Sequence, residues 1–322
     1  MKNTYKGIKM SDVSITPAYI SKSIPIKWTN PTLPICTYPS INIINGQYRD
    51  RTNNISPFVN NQIGVTISID APLSFRKETA EFFPTQFEID ELKEALRSNV
   101  DMTRWSLLIY ETPTVSEVWL KFLTDYFNSG RNFRSVTVGL IQTPEVAMNF
   151  VNKATSIIIG NDYTDPYRIY NFPIASLIMN TIELRSKFPN MYHPSIIAMD
   201  EELECDEGIL KALVLGADSV MLAKSMIKAS ECAGEVFKYD SGINELIRFT
   251  EDELPPGIIN TLNTSSLKRY QPYRYINEGK AYEVSYSLAE FTDHVRKNLN
   301  EILSITGSLN LIQLRNNMNI II

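Results

Sequence analysis

Short runs of apolar, β-branched residues alternate along the chain with stretches whose apolar positions recur every three or four residues. Ile63-Gly64-Val65-Thr66-Ile67-Ser68-Ile69 and Trp105-Ser106-Leu107-Leu108-Ile109-Tyr110 predict strands, as do Val136-Thr137-Val138-Gly139-Leu140-Ile141 and Ser156-Ile157-Ile158-Ile159. Ser195-Ile196-Ile197-Ala198 and Ser219-Val220-Met221-Leu222 continue the series. Such unbroken apolar runs suit strands covered on both faces, as in parallel sheets. Between them the spacing changes to that of helices. Residues 117–128 carry Val118, Leu120, Phe122, Leu123, Tyr126 and Phe127 at helical spacing. Pro144 opens a helix predicted to run through Asn152, because proline suits a first-turn position. Further helices are predicted over 175–187 and 208–215, the latter ending at Gly216 as a C-terminal cap.

Strand–helix–strand repetition implies an α/β fold with a parallel sheet, closed or doubly wound. A strand spacing of roughly 20–35 residues, sustained along the chain, favours the closed (β/α)8 TIM barrel of about 250 residues. No internal repeat or linker interrupts the pattern, and Pro255-Pro256-Gly257 reads as a loop. The expectation is one barrel domain over residues 1–322, with a C-terminal segment, 265–322, packing on it.

Composition narrows the function classes. The 322 residues are 43% hydrophobic and 21% charged, with a net charge of −5. That balance fits a globular protein with a sizeable core, and gives no reason to expect nucleic acid or a membrane surface as partner. No apolar run reaches the ~18 residues that span a bilayer, and Met1-Lys2-Asn3-Thr4-Tyr5-Lys6 does not read as a secretory signal. Cys36, Cys205 and Cys232 are odd in number and far apart, which opposes a disulfide framework or a Cys-x-x-Cys metal site. His193 and His294 add no zinc-like spacing. A cytoplasmic protein with no bound metal is the expectation.

Several segments, taken in order, resemble the IMP dehydrogenase/GMP reductase family. They are Ser11-Asp12-Val13-Ser14-Ile15-Thr16-Pro17-Ala18-Tyr19, Leu33-Pro34-Ile35-Cys36-Thr37-Tyr38-Pro39-Ser40, Thr143-Pro144-Glu145-Val146-Ala147 and Ala154-Thr155-Ser156-Ile157-Ile158-Ile159-Gly160. The fullest match is Gly208-Ile209-Leu210-Lys211-Ala212-Leu213-Val214-Leu215-Gly216-Ala217-Asp218-Ser219-Val220-Met221, followed by Glu231-Cys232-Ala233-Gly234-Glu235. Glu278-Gly279, Thr306-Gly307-Ser308 and Leu314-Arg315 add to it near the end. The resemblance implies a (β/α)8 barrel that forms four-fold homo-tetramers. The stretch after Asp70 is too short for the inserted CBS pair that many members carry, which implies a barrel-only form.

The same resemblance implies a chemistry whose residues are largely missing. In the family a loop cysteine, in Gly-x-Gly-Ser-x-Cys-Thr, attacks a purine nucleotide while hydride passes to or from a nicotinamide (NAD or NADP). A thiolate is needed as both nucleophile and leaving group. After Gly160 this chain reads Asn161-Asp162-Tyr163-Thr164-Asp165-Pro166, with no cysteine before Pro173. Thr164 lacks an evident base, and the segment reads as a polar turn. The family's phosphate-binding Ala-Asp-Gly-Gly becomes Ala198-Met199-Asp200-Glu201-Glu202. Asp200 remains as a ribose contact, while Glu201 and Glu202 stand where glycines approach a dianion. Each such like-charge pair, at about 4 Å and an effective dielectric of ~20, costs on the order of 4 kcal/mol. The next phosphate contact, Gly-Ser, becomes Ala223-Lys224, and Lys224 is expected to pair internally with Glu201 or Glu202. On the nicotinamide side Asp-Ser-Ser-His becomes Tyr110-Glu111-Thr112-Pro113, leaving Glu111 as the cofactor-binding candidate. The family's Arg-Gly-Met-Gly-Ser flap has no counterpart between Lys238 and Tyr270, and Arg269 reads as structural. Cys36 reads as a small buried hydrophobe, and carboxylates around Cys205 disfavour its thiolate.

Three readings follow. One is a divergent barrel that has lost the thiol chemistry and acts as a binding or structural subunit. A second is an NAD(P)-dependent purine-nucleotide oxidoreductase with displaced catalytic residues. The third is a barrel re-purposed around Asp200, Glu201, Glu202, Glu204 and Lys224, whose carboxylates would take a hard cation.

Overall fold

The computed structural model describes residues 7–18, 24–30, 32–37, 64–65, 106–110, 117–128, 135–161, 172–229, 237–240, 245–248, 272–276, 280–283 and 285–322. Within them the chain is α/β and built on a parallel sheet. Its strands are β2 (Ile35–Thr37), β3 (Gly64–Val65), β4 (Ser106–Tyr110), β5 (Ser135–Ile141), β6 (Ser156–Gly160), β7 (Ser195–Met199) and β8 (Ser219–Met221). They lie side by side in the order β3-β2-β8-β7-β6-β5-β4, every neighbouring pair parallel. The helices that follow them are α1 (Glu117–Asn128), α2 (Pro144–Met148), α3 (Ile174–Ser186), α4 (Asp206–Leu215) and α5 (Lys224–Ile227).

The predicted run of Ile157, Ile158 and Ile159 is buried on both faces, and so are Ile196, Ile197, Ala198 and Met199 on the neighbouring strand. Helix α2 begins at Pro144 as expected, with the Thr143 side chain accepting the Val146 N–H. It ends at Met148, short of Asn152, which instead adopts a left-handed turn at φ 59°. The Asn152 amide donates to the Tyr192 carbonyl at 3.0 Å, and its Oδ1 accepts the Tyr192 N–H at 2.9 Å. These tertiary partners stop the helix where local pattern alone extends it. Helix α4 carries Asp206 and Glu207 in its first turn, where the helix dipole favours carboxylates. It closes on Gly216 at φ 126°, and a Cβ there would come within 2.6 Å of Ile182. Glycine therefore serves both the cap and the packing of α4 on α3.

The C-terminal residues build onto α4. Helix α6 (Leu288–Thr306) starts in a Ser287/Glu290 capping box and ends at Gly307, in the left-handed conformation. Its buried stripe is Leu288, Val295, Leu299 and Leu303, each worth about 2 kcal/mol in gross burial. Helix α7 (Leu311–Asn316) follows, and a small apolar cluster joins Val214 to Leu303, Leu314 and Met318. The last strand, β13 (Met318–Ile321), pairs antiparallel with the first, β1 (Ser14–Pro17). The two ends of the described chain are thus tied together.

Only Gly64–Val65 of the predicted 63–69 strand falls within the described residues. Between Phe237 and Glu283 the described residues contain four strands that the apolar pattern does not reveal. These are β9 (Phe237–Asp240), β10 (Glu245–Arg248), β11 (Pro272–Ile276) and β12 (Lys280–Glu283), forming an antiparallel sheet in the order β10-β9-β11-β12. Charged residues such as Lys238, Asp240, Arg248 and Arg274 break up the apolar runs there.

Candidate functional site

In parallel α/β sheets, ligand-handling residues follow the C-terminal ends of the strands. Here β6 delivers Asn161, β7 delivers Asp200 and β8 leads into Ala223 and Lys224. The structure binds Asn161 to Asp200, and ties Ala223 and Lys224 to carboxylates of the turn that follows Asp200.

Gly160 ends β6 at φ 127°, and a Cβ there would lie 1.9 Å from the Met199 carbonyl oxygen. That closeness lets the next residue, Asn161, donate its backbone N–H to the same carbonyl at 2.8 Å. The Asn161 side chain is fully buried. Its Nδ2 donates to the Phe172 carbonyl at 2.8 Å and to Asp200 Oδ2 at 2.6 Å, while its Oδ1 accepts the Phe172 N–H at 3.0 Å. Asn161 therefore clamps the two ends of the segment where the resemblance places the catalytic cysteine. Asp162, Tyr163 and Thr164, within that segment, lie outside the described residues, as does Glu111.

Asp200 is buried, with both oxygens engaged: Oδ2 by Asn161 and Oδ1 by the Glu202 N–H at 3.0 Å. The turn it opens sends its carboxylates in separate directions. Glu201 pairs with the Lys224 ammonium, the internal pairing that the sequence predicts. Glu202 Oε2 accepts the Met10 N–H at 2.5 Å, and the Met10 carbonyl in turn accepts from the buried Lys211 ammonium at 3.2 Å. Glu204 reaches across to the start of α5. Its Oε1 accepts the N–H groups of Ala223 at 2.5 Å and Lys224 at 2.9 Å. Its Oε2 accepts the Ser225 N–H at 2.8 Å and the Ser225 hydroxyl at 2.6 Å.

A carboxylate thus occupies a three-amide cradle with an added hydroxyl, a donor set suited to an anion. Sequence reading noted Glu204 only as one of an acidic group. Its partners lie 19 to 21 residues further along the chain, so no local spacing points to them. The cation reading of this acidic turn is corrected by the same geometry. Among the described residues no group of three or more His, Cys, Asp or Glu side chains is placed to hold a metal ion.

The cysteines divide by environment. Cys36, in β2, is buried, and that burial pushes its thiol from 9.0 up to about 12, against a smaller opposing pull from Ser219 Oγ at 3.9 Å. Cys205 is exposed and caps α4, its sulfur accepting the Gly208 N–H at 3.4 Å. Cys232 lies outside the described residues. Because the folded state holds the Cys36 proton more tightly than the unfolded chain, this group's contribution to stability is intact below pH 9.0 and falls as pH rises toward about 12. The expected result is a urea midpoint that declines above pH 9.0 more steeply in the wild type than in Cys36→Ala. Equal alkaline slopes would contradict it.

No helix among the described residues is long and apolar enough to cross a membrane. Compared with known proteins, the chain matches no protein-family model, and no curated protein sequence matches it significantly.

Proposed function

We propose that this chain is a divergent barrel of the IMP dehydrogenase/GMP reductase type that has given up thiol-dependent oxidoreductase chemistry and acts as a binding or structural subunit. The observation that carries the reading is Glu204. Its carboxylate accepts from Ala223, Lys224 and Ser225, at the position where the resemblance puts the nucleotide phosphate. An incoming phosphate dianion would have to expel a carboxylate that accepts from three backbone amides and the Ser225 hydroxyl, and would meet Glu201, paired to Lys224, nearby. Asp200, the ribose candidate, is likewise engaged by Asn161 and Glu202. With the nucleophile's segment also lacking a cysteine, substrate binding and covalent attack both lose their groups.

The strand order supports closure of the sheet into a (β/α)8 barrel. Chain-consecutive strands are neighbours from β4 through β8, and β8 then pairs with β2, as a closed ring requires. Val220 and Leu222 donate to the Pro34 and Cys36 carbonyls across that junction. With both edges of β2 taken, an eighth strand has its place between β3 and β4. The proposal includes a single barrel domain over 1–322, a four-fold homo-oligomer and a cytoplasmic location, all carried by the resemblance and the composition.

The test is direct. Purified protein incubated with IMP or GMP and either NAD(H) or NADP(H) is expected to leave the absorbance of the reduced nicotinamide unchanged. Calorimetric titration with each nucleotide is expected to show no saturable heat beyond that given by inorganic phosphate at the same concentration. Turnover linked to either nucleotide would overturn the reading in favour of displaced catalytic residues.

A further inference from the structure

At the opposite end of the sheet, where β7 and β8 begin, two arginines converge on one aspartate. Arg185 lies in the last turn of α3 and places Nη1 3.9 Å from Asp218 Oδ2. Arg315 lies in the last turn of α7 and places Nη2 3.3 Å from Asp218 Oδ1. Arg315 is otherwise well bonded, donating to the carbonyls of Leu213 at 2.9 Å and Ala217 at 2.5 Å. Arg185 is not. Among the described residues its one charge partner is Asp218, beyond hydrogen-bond reach, although a guanidinium offers five donors in a planar fork. Asp218 has already committed Oδ2 to the Ile196 N–H at 2.9 Å. The arginine side chains are only 22% and 23% exposed, so water gains partial access while much of their hydration is stripped away.

The balance of charge at this point is two guanidinium groups against one carboxylate. Glu183 and Lys187, at the same end of α3, pair with each other at 3.2 Å and leave that balance unchanged. Burial lowers the Arg185 pKa, Asp218 opposes that shift, and the nearby positive Arg315 adds to it. A guanidinium with no protein hydrogen-bond partner among the described residues, beside a second group of like charge, suits a tetrahedral oxyanion. Arg185 offers its planar fork for bidentate, charge-assisted hydrogen bonds to such an anion, and Arg315, whose Nε and Nη2 are held by the Leu213 and Ala217 carbonyls, adds positive charge beside it.

We propose that Arg185 and Arg315 form a binding site for an oxyanion of the phosphate class, partly occupied at present by the Asp218 carboxylate. The site stands at the other end of the strands from Asn161, Asp200 and Glu204, and does not depend on the reading of those residues. Inorganic phosphate is the probe. Thermal unfolding of the full chain is expected to shift up by several degrees in phosphate relative to chloride of matched ionic strength, and Arg185→Gln is expected to remove that shift. Asp218→Asn withdraws the competing anion, and calorimetry on it is expected to show phosphate binding several-fold tighter than in the wild type. A wild-type midpoint indifferent to phosphate, an undiminished shift in Arg185→Gln, or binding by Asp218→Asn no tighter than wild type would each overturn the proposal.

Discussion

Gly160→Ala is expected to remove on the order of 4 kcal/mol of stability, adding backbone strain at an unfavourable φ to the cost of overpacking. The new Cβ would sit 1.9 Å from the Met199 carbonyl oxygen and 2.9 Å from its carbon. Both are backbone atoms of the neighbouring strand, so no side-chain rotation relieves the clash. The φ of 127° adds strain of its own, because L side chains rarely adopt that conformation. Relief requires β6 and β7 to separate at their C-terminal ends. That movement also breaks the bond from the Asn161 N–H to Met199 and draws Asn161 away from Asp200. A loss of this size is a large fraction of a typical domain's total stability. Urea unfolding of the two proteins measures it, and a difference below about 1 kcal/mol would show that the strand end adapts freely.

Glu204→Ala is expected to be the second most damaging of these changes, at about 3 kcal/mol, because it leaves several partly buried donors without their charged acceptor. Ala223 and Ser225 are buried, so water replaces the carboxylate poorly at two of the three amides. Glu204→Gln separates charge from shape. The amide keeps one oxygen for one pair of donors, but turns an NH2 group toward the other pair, so donor faces donor. It is expected to recover less than half of the loss. If Gln restored full stability, the carboxylate's charge would be incidental and the cradle no longer an anion site filled from within. Urea midpoints of the three proteins, measured at one pH, decide the point.

Much of the architecture was legible because its causes are local. Ile157-Ile158-Ile159 and Ser195-Ile196-Ile197-Ala198 announce strands buried on both faces, and the structure covers them on both. The bounds of α1 were readable from apolar spacing, and the end of α4 from a single glycine. Where tertiary contacts overrule local preference, the reading overran. Residues 149–152 continue a plausible helix, yet the chain turns because Asn152 bonds Tyr192, forty residues away. Strands β9 to β12 escaped because alternating charged residues give no continuous apolar signal.

At the candidate site the division is sharper. The sequence by itself determined which groups are available after each strand: the Asn161 amide at the end of β6, and the Glu201, Glu202 and Glu204 carboxylates after β7. Side-chain identity is a local fact, and what a group can do chemically follows from it. Only the tertiary structure decided where the carboxylates of one acidic turn go. Glu201, Glu202 and Glu204 are near neighbours in the chain, yet one pairs with Lys224, one holds Met10 and one fills the cradle at Ala223–Ser225. It likewise brought Arg185 and Arg315 to a shared aspartate from helices far apart in the sequence. Hydrogen bonds and ion pairs are short-ranged and directional, so their partners are chosen by where the packed strands and helices set the groups down.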